Sequence, residues 1–179
     1  MDHLNRLLST DGRLRVLVVT ATDVAQEVIR RHGIQGSTAV RMAAEGTVCA
    51  LLLSAYVKGE ERILFEVSGD EPRFLFSGEA SAGGRVRARL RPTRLGALSH
   101  LRGRMATVKW NESTELYRGT ALMDHRDLQA VLRAYLQDSQ QVLGRAWLHA
   151  QVSQTEVGFA GGLLIERLPV ANGFEREEF

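Results

Sequence analysis

Residues 61–91 read ERILFEVSGDEPRFLFSGEASAGGRVRARLR, and the period of this stretch sets the fold class. Apolar residues recur at every second position, with Ile63, Phe65 and Val67 on one side of the first run and Phe74 and Phe76 on one face of the second. A period of two belongs to an extended chain whose side chains alternate between faces; a helix repeats at 3.6. Gly69-Asp70-Glu71-Pro72 and Ser81-Ala82-Gly83-Gly84 punctuate the runs with turn chemistry. The third run alternates strictly: Val86, Ala88 and Leu90 face one way, and Arg85, Arg87, Arg89 and Arg91 the other. Strands over 61–68, 73–80 and 85–91, joined by short turns, make an antiparallel meander.

Upstream of the meander the period changes. Val40, Ala43, Ala44, Val48, Leu51, Leu52 and Ala55 recur at helical spacing behind a cap at Ser37 or Thr38, and the helix runs to about Tyr56. From Val48 onward it is apolar nearly all round, which predicts a central buried helix. Before it, Asp23 with Gln26 opens a short amphipathic helix carrying Val24, Val28 and Ile29 and stopping at Gly33. Arg13 to Ala21 reads as a strand with Leu14, Val16 and Val18 on one face and Leu17 and Val19 on the other, both covered.

Downstream, Pro92 to Gly103 reads as a connection with one helical turn around Leu95, Leu98 and Leu101, the one internal seam. Strands follow at 104–111 and 115–123. Leu128, Val131, Leu132, Tyr135 and Leu136 mark a helix from Asp127 to about Gln140, and 145–152 with 159–168 close the chain as a strand pair. The class is α+β: helices, one of them central and buried, packed on a mainly antiparallel sheet meander.

The 179 residues suit one domain, taken as 1–170, with 171–179 as the start of an acidic linker carrying Glu175, Glu177 and Glu178. A content of 44% apolar and 25% charged residues is that of a globular chain and excludes collagen-like or fully disordered readings. A single cysteine, Cys49, excludes an internal disulfide and a thiolate zinc cage, and fits a reducing cytoplasm. The opening residues show no secretory signal, and the longest near-apolar stretch, Thr47 to Val57, is too short to cross a bilayer. Lys58 and Lys109 are the only lysines among 23 basic residues, and the net charge is +2.

Catalytic motifs are not found. His3, His32, His100, His125 and His149 fall at no metal-binding spacing, and Cys49 sits mid-helix among apolar neighbours. Ser9, Ser54, Ser99 and Ser139 lack a nucleophile-elbow frame. Gly83-Gly84 and Gly161-Gly162 do not open helices as phosphate loops do, and read as turns or close backbone approaches. Asp124-His125-Arg126-Asp127 has the composition of an acid-base cluster, but its place before a helix suits capping by Asp124 or Asp127. The stripe Arg85, Arg87, Arg89, Arg91 has the spacing to track a phosphate backbone, against which stands a solvated sheet face paired with Glu79 and other acids.

Several stretches carry a resemblance to one known family. They are Asp11 to Val16 leading to Thr20-Ala21-Thr22-Asp23; Arg31-His32; Lys58-Gly59-Glu60-Glu61-Arg62; Gly69-Asp70-Glu71-Pro72, where that family usually has Gly for Glu71; and Gly84-Arg85-Val86-Arg87. Tyr117-Arg118-Gly119, Tyr135 to Gln141 (Glu being usual at Gln140), and Ala160 to Ile165 with Leu168-Pro169 complete the set. In these the chain resembles the redox-regulated heat-shock holdase family known as heat shock protein 33 or the 33-kDa chaperonin, and the resemblance covers the family's substrate-binding domain. It implies a cytoplasmic, ATP-independent stress chaperone that is not an enzyme, is a homodimer when active, and captures unfolded or misfolded proteins on apolar sheet surface. Candidate client contacts are Phe74, Phe76, Trp110 and Trp147, each of which also suits a core position. The family's zinc, held by four cysteines in Cys-x-Cys and Cys-x-x-Cys pairs of a C-terminal redox-switch domain, has no counterpart here, so no cofactor is expected. That switch domain is expected to be absent: either the core is truncated or proteolytic, ending where the linker begins, or it is a natural relative without the switch. The alternatives are an arginine-rich nucleic-acid binder and, third, an enzyme using His125 with Asp124 or Asp127.

Overall fold

A computed structural model describes residues 1–139 and 141–169. Gln140, at the end of the expected third helix, and the expected linker 171–179 lie outside the described residues.

The strands are β1 (His3–Leu8), β2 (Leu14–Thr20), β3 (Glu61–Asp70), β4 (Arg73–Ser81), β5 (Val86–Arg91), β6 (Leu101–Asn111), β7 (Thr114–His125), β8 (Gly144–Val152) and β9 (Val157–Arg167). The helices are α1 (Thr22–His32), α2 (Ser37–Leu53), continued by a 3-10 turn at Ser54–Tyr56, and α3 (Leu128–Asp138). All pairings are antiparallel and build two sheets, a four-stranded one in the order β1-β2-β9-β8 and a five-stranded one in the order β5-β4-β3-β6-β7.

The α+β class holds, with the central helix as its pivot. Helix α2 lies between the sheets because its two sides are cut to fit them. A Cβ on Gly46 would fall 2.5 Å from the Phe76 ring, and one on Gly78 would fall 3.1 Å from the Ala50 Cβ, so Gly46 and Ala50 seat that side on β4. A Cβ on Gly162 would meet Val48 at 2.6 Å and Leu52 at 3.1 Å, so Val48 and Leu52 seat the opposite side on β9. Residues 46 and 50 share one helix face, 48 and 52 the other, as 3.6 residues per turn requires. The helix and its 3-10 extension have the length and apolarity of a membrane span, longer than the 47–57 stretch read from sequence, but 78% of that window is buried inside the fold. Helix α1 also packs between β9 and β5, and α3 between β8 and β7. The helices thus fill a middle layer and leave the outer face of each sheet uncovered among the described residues.

Several local expectations are corrected. Helix α1 is capped neither by Asp23 nor by its own N-cap residue, Ala21. The Asp2 carboxylate accepts from the backbone N–H of Asp23 at 3.0 Å and of Val24 at 2.8 Å, and Gln26 instead accepts from the Val157 N–H. Gly33 does end the helix in the left-handed region. Helix α2 begins behind Gly36 with no side-chain cap from Ser37 or Thr38. Residues 92–100 contain no helical turn; Leu95 and Leu98 pack against the core from an irregular segment, while Leu101 already belongs to β6. Nor is the segment a seam, since it carries the chain from β5 across to β6 within one sheet. Asp127 does cap α3, accepting from the Ala130 N–H at 2.8 Å. Strand β1 went unread, and the expectation that both faces of β2 are covered is half wrong: Leu17 and Val19 are buried, while Leu14 and Val18 lie open.

Candidate functional site

The two uncovered outer faces differ in chemistry. On the five-stranded sheet the outward positions include Arg62, Glu66, Ser68, Ser77, Glu79, Arg87, Arg89, Arg91, Arg104 and Arg118, placed there by the register with β3 at the centre. Glu79 is held between Arg87 (2.8 Å) and Arg62 (3.5 Å). Arg85, Arg87, Arg89 and Arg91 are all exposed. Opposite Arg89 and Arg91 stand Ser77 and Leu75, so β4 sets an acid only against Arg87. Beside these charges the face exposes Leu75 (41%) and Leu122 (82%), and it holds a shallow dish of about 310 Å³ where Trp110 lies with Leu64, Val108, Glu112, Ser113, Glu115 and Arg118.

On the four-stranded sheet the outward face carries an apolar band bordered by Asn5, Arg145, His149, Gln151 and Arg167. Register places Leu7 beside Val16 and Val16 beside Ile165, and in the next row Val18 beside Leu163 and Leu163 beside Trp147. Leu14 and Phe159 extend this band along their strands. Exposure reaches 55% at Leu7, 36% at Leu14 and Val18, and 39% at Trp147 and Phe159. The Phe159 ring lies along its strand over Gly161, where a Cβ would come within 2.6 Å of it, and stands 6.1 Å from the His149 ring. Arg133 of α3 reaches around the sheet edge to within 5.5 Å of the Trp147 ring centroid. A band of aliphatic and aromatic side chains on adjacent strands, open to water, is the signature of a surface that meets other apolar groups.

The inward face beneath the band is locked in place. Glu166 is 2% exposed and is ion-paired to Arg15, and the Tyr56 hydroxyl donates to its carboxylate at 2.5 Å. Arg15 also donates to the Ala55 carbonyl and stacks on the Tyr56 ring at 5.1 Å. Burial, followed by the hydrogen bond to Glu166, pushes the Tyr56 hydroxyl well above its ordinary pKa, so it remains a donor. Arg6 donates to Ser54. These bonds tie β1, β2 and β9 to the end of α2, which anchors the band from beneath.

The other site residues read from sequence fall apart as catalytic groups. Phe74 and Phe76 are corrected outright: they are 4% and 0% exposed, packed against Gly69 and Gly46, and offer no surface to a partner. Trp147 is on the apolar band; Trp110 is half-buried on the other sheet. Asp124 pairs with His100 and Arg102, which hold its carboxyl below the usual range, and it does not join His125 and Asp127, which caps α3. The residues present do not fit the zinc implied by the family resemblance: no group of three His, Cys, Asp or Glu side chains among the described residues could hold a metal. Cys49 is fully buried, and burial pushes its thiol far up. Leu7, Val16, Val18, Phe159, Leu163 and Ile165 were not singled out from sequence. The available signal was β2, apolar on both faces, which covering helices explain as well as an open surface does.

The family model described as Hsp33 protein matches residues 2–178. A 33 kDa chaperonin of Geobacter sulfurreducens is 30% identical over 94% of this chain and 60% of its own length. One from Syntrophotalea carbinolica is 28% identical over 94% of this chain and 62% of its own. Among solved structures, the 33 kDa chaperonin (heat shock protein 33 homolog) of Thermotoga maritima superimposes with a TM-score of 0.81 at 16% identity, covering 90% of this chain and 59% of that one, a likeness of fold. The chain thus spans about three fifths of the length of these relatives.

Proposed function

This chain belongs to the Hsp33 family, and from that premise we propose that residues 1–170 are the client-binding core of an ATP-independent holdase chaperone. It acts in the cytoplasm during heat and oxidative stress, as a homodimer, and without enzymatic turnover or a cofactor of its own. The observation that carries the reading is the apolar band on the four-stranded sheet, open to water at Leu7, Leu14, Val18, Trp147 and Phe159 and half-buried at Val16, Leu163 and Ile165. An unfolding protein exposes apolar segments that would otherwise meet one another. A band of the same chemistry, anchored from beneath, competes for them, and release needs no chemical step.

The test is light scattering from a thermally unfolding client at near-stoichiometric ratio. The wild-type chain should suppress scattering with or without ATP and nucleic acid. The double variant Leu7→Lys with Val18→Lys sets two charges in adjacent rows of the band at positions already open to water, and should lose most suppression while keeping its circular dichroism spectrum. Full suppression by the folded variant refutes the assignment of the band. The arginine-rich face is the competing reading: absent suppression, combined with salt-dependent oligonucleotide binding that Arg89→Ala weakens, would move the function there.

A further inference from the structure

The sheet that carries the apolar band ends in β1 on one side and β8 on the other. An edge strand presents backbone N–H and C=O groups to any chain that can lie beside it. Side chains seal β8: Arg133 donates to the Ala146 carbonyl (2.7 Å), Arg41 to the Ala150 carbonyl (2.6 Å), and the Leu148 N–H donates to the Gln129 side chain (2.9 Å). Strand β1 is not sealed. The Ser9 N–H donates to the Leu14 carbonyl at 2.9 Å, one step beyond the pair Leu8 with Arg15 that ends the β1–β2 ladder. Bonded and non-bonded pairs alternate along an antiparallel ladder, so Asn5 and Leu7 turn their main-chain groups toward β2, while Arg6 and Leu8 turn theirs away from it. Among the described residues no backbone or side-chain group bonds to those outward N–H and C=O groups. The Leu4 end is closer packed, beside Gly84 of the β4–β5 turn, where a Cβ would come within 3.1 Å of the Leu4 side chain. The open stretch is therefore Asn5 to Leu8.

That stretch is apolar on both sides at one end. Leu7 stands on the outer face at the start of the row Leu7, Val16, Ile165 of the band. Leu8 stands on the inner face and is still 63% exposed, so the helical layer does not cover it. We infer that the β1 edge holds an extended apolar segment of an unfolding protein as an added antiparallel strand. This rests on the chaperone reading and names the form in which the client is held. The segment's main chain exchanges hydrogen bonds with Arg6 and Leu8, its residue opposite Leu7 lengthens the row Leu7, Val16, Ile165 by one apolar side chain, and its residue opposite Leu8 covers that leucine from the inner side. An unfolding chain offers both things that the edge is missing: backbone groups without protein partners and apolar side chains without cover. Main-chain bonds are the same whatever the sequence, so many clients fit. What the edge selects is an extended backbone, which favours β-branched and aromatic segments and refuses a helix whose backbone groups are already paired.

The probe is a fluorescent peptide alternating Val and Thr, with lysine at its ends for solubility. Setting Val opposite Leu7 puts Thr opposite Arg6 and Leu8, with the Thr N–H groups facing the edge. Methylating the Thr nitrogens keeps every side chain and removes those donors; methylating the Val nitrogens, which point to solvent, is the control. Fluorescence anisotropy should show the wild-type chain binding the Thr-methylated peptide at least tenfold more weakly than the Val-methylated one, since two backbone hydrogen bonds are lost at about fivefold each. Leu8→Pro removes an outward N–H without touching a ladder bond. It should weaken the unmethylated peptide at least fivefold relative to Leu8→Ala, with thermal melting confirming that both variants are folded. Equal binding of the two methylated peptides, or no binding of any peptide while client scattering is still suppressed, overturns the edge assignment alone. A chain that binds no peptide and suppresses no scattering overturns the chaperone reading with it. A dimer that Leu8→Pro dissociates and the peptide does not shows a second copy on the edge and overturns the client as its occupant.

Discussion

Glu45 offers a quantitative test of how the middle layer is built. It lies on α2, mostly buried, with the Arg41 guanidinium 3.9 Å away and Asp127 of the α3 cap close enough to repel it. Burial, opposed by Arg41 and reinforced by Asp127, raises its carboxyl from 4.5 to about 7. The unfolded chain releases that proton near the ordinary value, so between the two values the native state holds more protons than the unfolded one, and stability falls as pH rises. At about 1.4 kcal/mol per pH unit the loss is about 3 kcal/mol, complete a little above pH 7. Glu45→Gln keeps the shape and removes the ionisation. Urea unfolding of both proteins from pH 4.5 to 8.5 should show near-equal stability at the acid end and a variant more stable by up to about 3 kcal/mol at the alkaline end. A difference that is flat with pH, or a variant less stable at pH 8.5, would show that the Arg41 pair outweighs burial and refute the reasoning.

Other perturbations follow from single contacts. Asp2→Ala removes the acceptor for the first N–H groups of α1 and should lower stability by about 1 kcal/mol in the same unfolding assay. Arg15→Met leaves the Glu166 carboxylate buried without its cation and should cost about 3–5 kcal/mol, with Arg15→Met/Glu166→Gln recovering part of the loss. Gly103 has φ +146 and a Cβ there would sit 1.9 Å from the Ser68 carbonyl oxygen. Gly103→Ala should therefore prise β6 from β3 and cost about 3 kcal/mol or more, read as a lowered melting temperature.

The candidate site was only partly legible in the sequence, and the reason is geometric. Of the four aromatic residues read as candidate client contacts, Trp147 is open to water, Trp110 is half-buried, and Phe74 and Phe76 are core. The alternate neighbours of Trp147 are Arg145 and His149, a polar row that points outward, whereas those of Phe74 and Phe76 are Pro72, each other and Gly78, which leave the face undecided. Which of them meets water depends on what covers each face, and α2 covers the face bearing Phe74 and Phe76. Leu7 was invisible because Asn5 and Arg6 interrupt the apolar pattern of β1, a strand that exists through its pairing with β2.

The sequence by itself determined the elements with strong local periods: the meander of β3, β4 and β5, the buried α2, and α3 behind a cap at Asp124 or Asp127, between which the structure chose Asp127. It also determined family membership, because these are matters of neighbouring residues and their order. Tertiary structure alone decided that β2, from the start of the chain, pairs with β9, from its end. It alone placed every described helix between the sheets, and gathered most of the sheet arginines on one outer face and a band of apolar side chains on the other. Each of these is a contact between residues far apart in the chain, and a period of two places side chains on opposite faces without saying which face meets water.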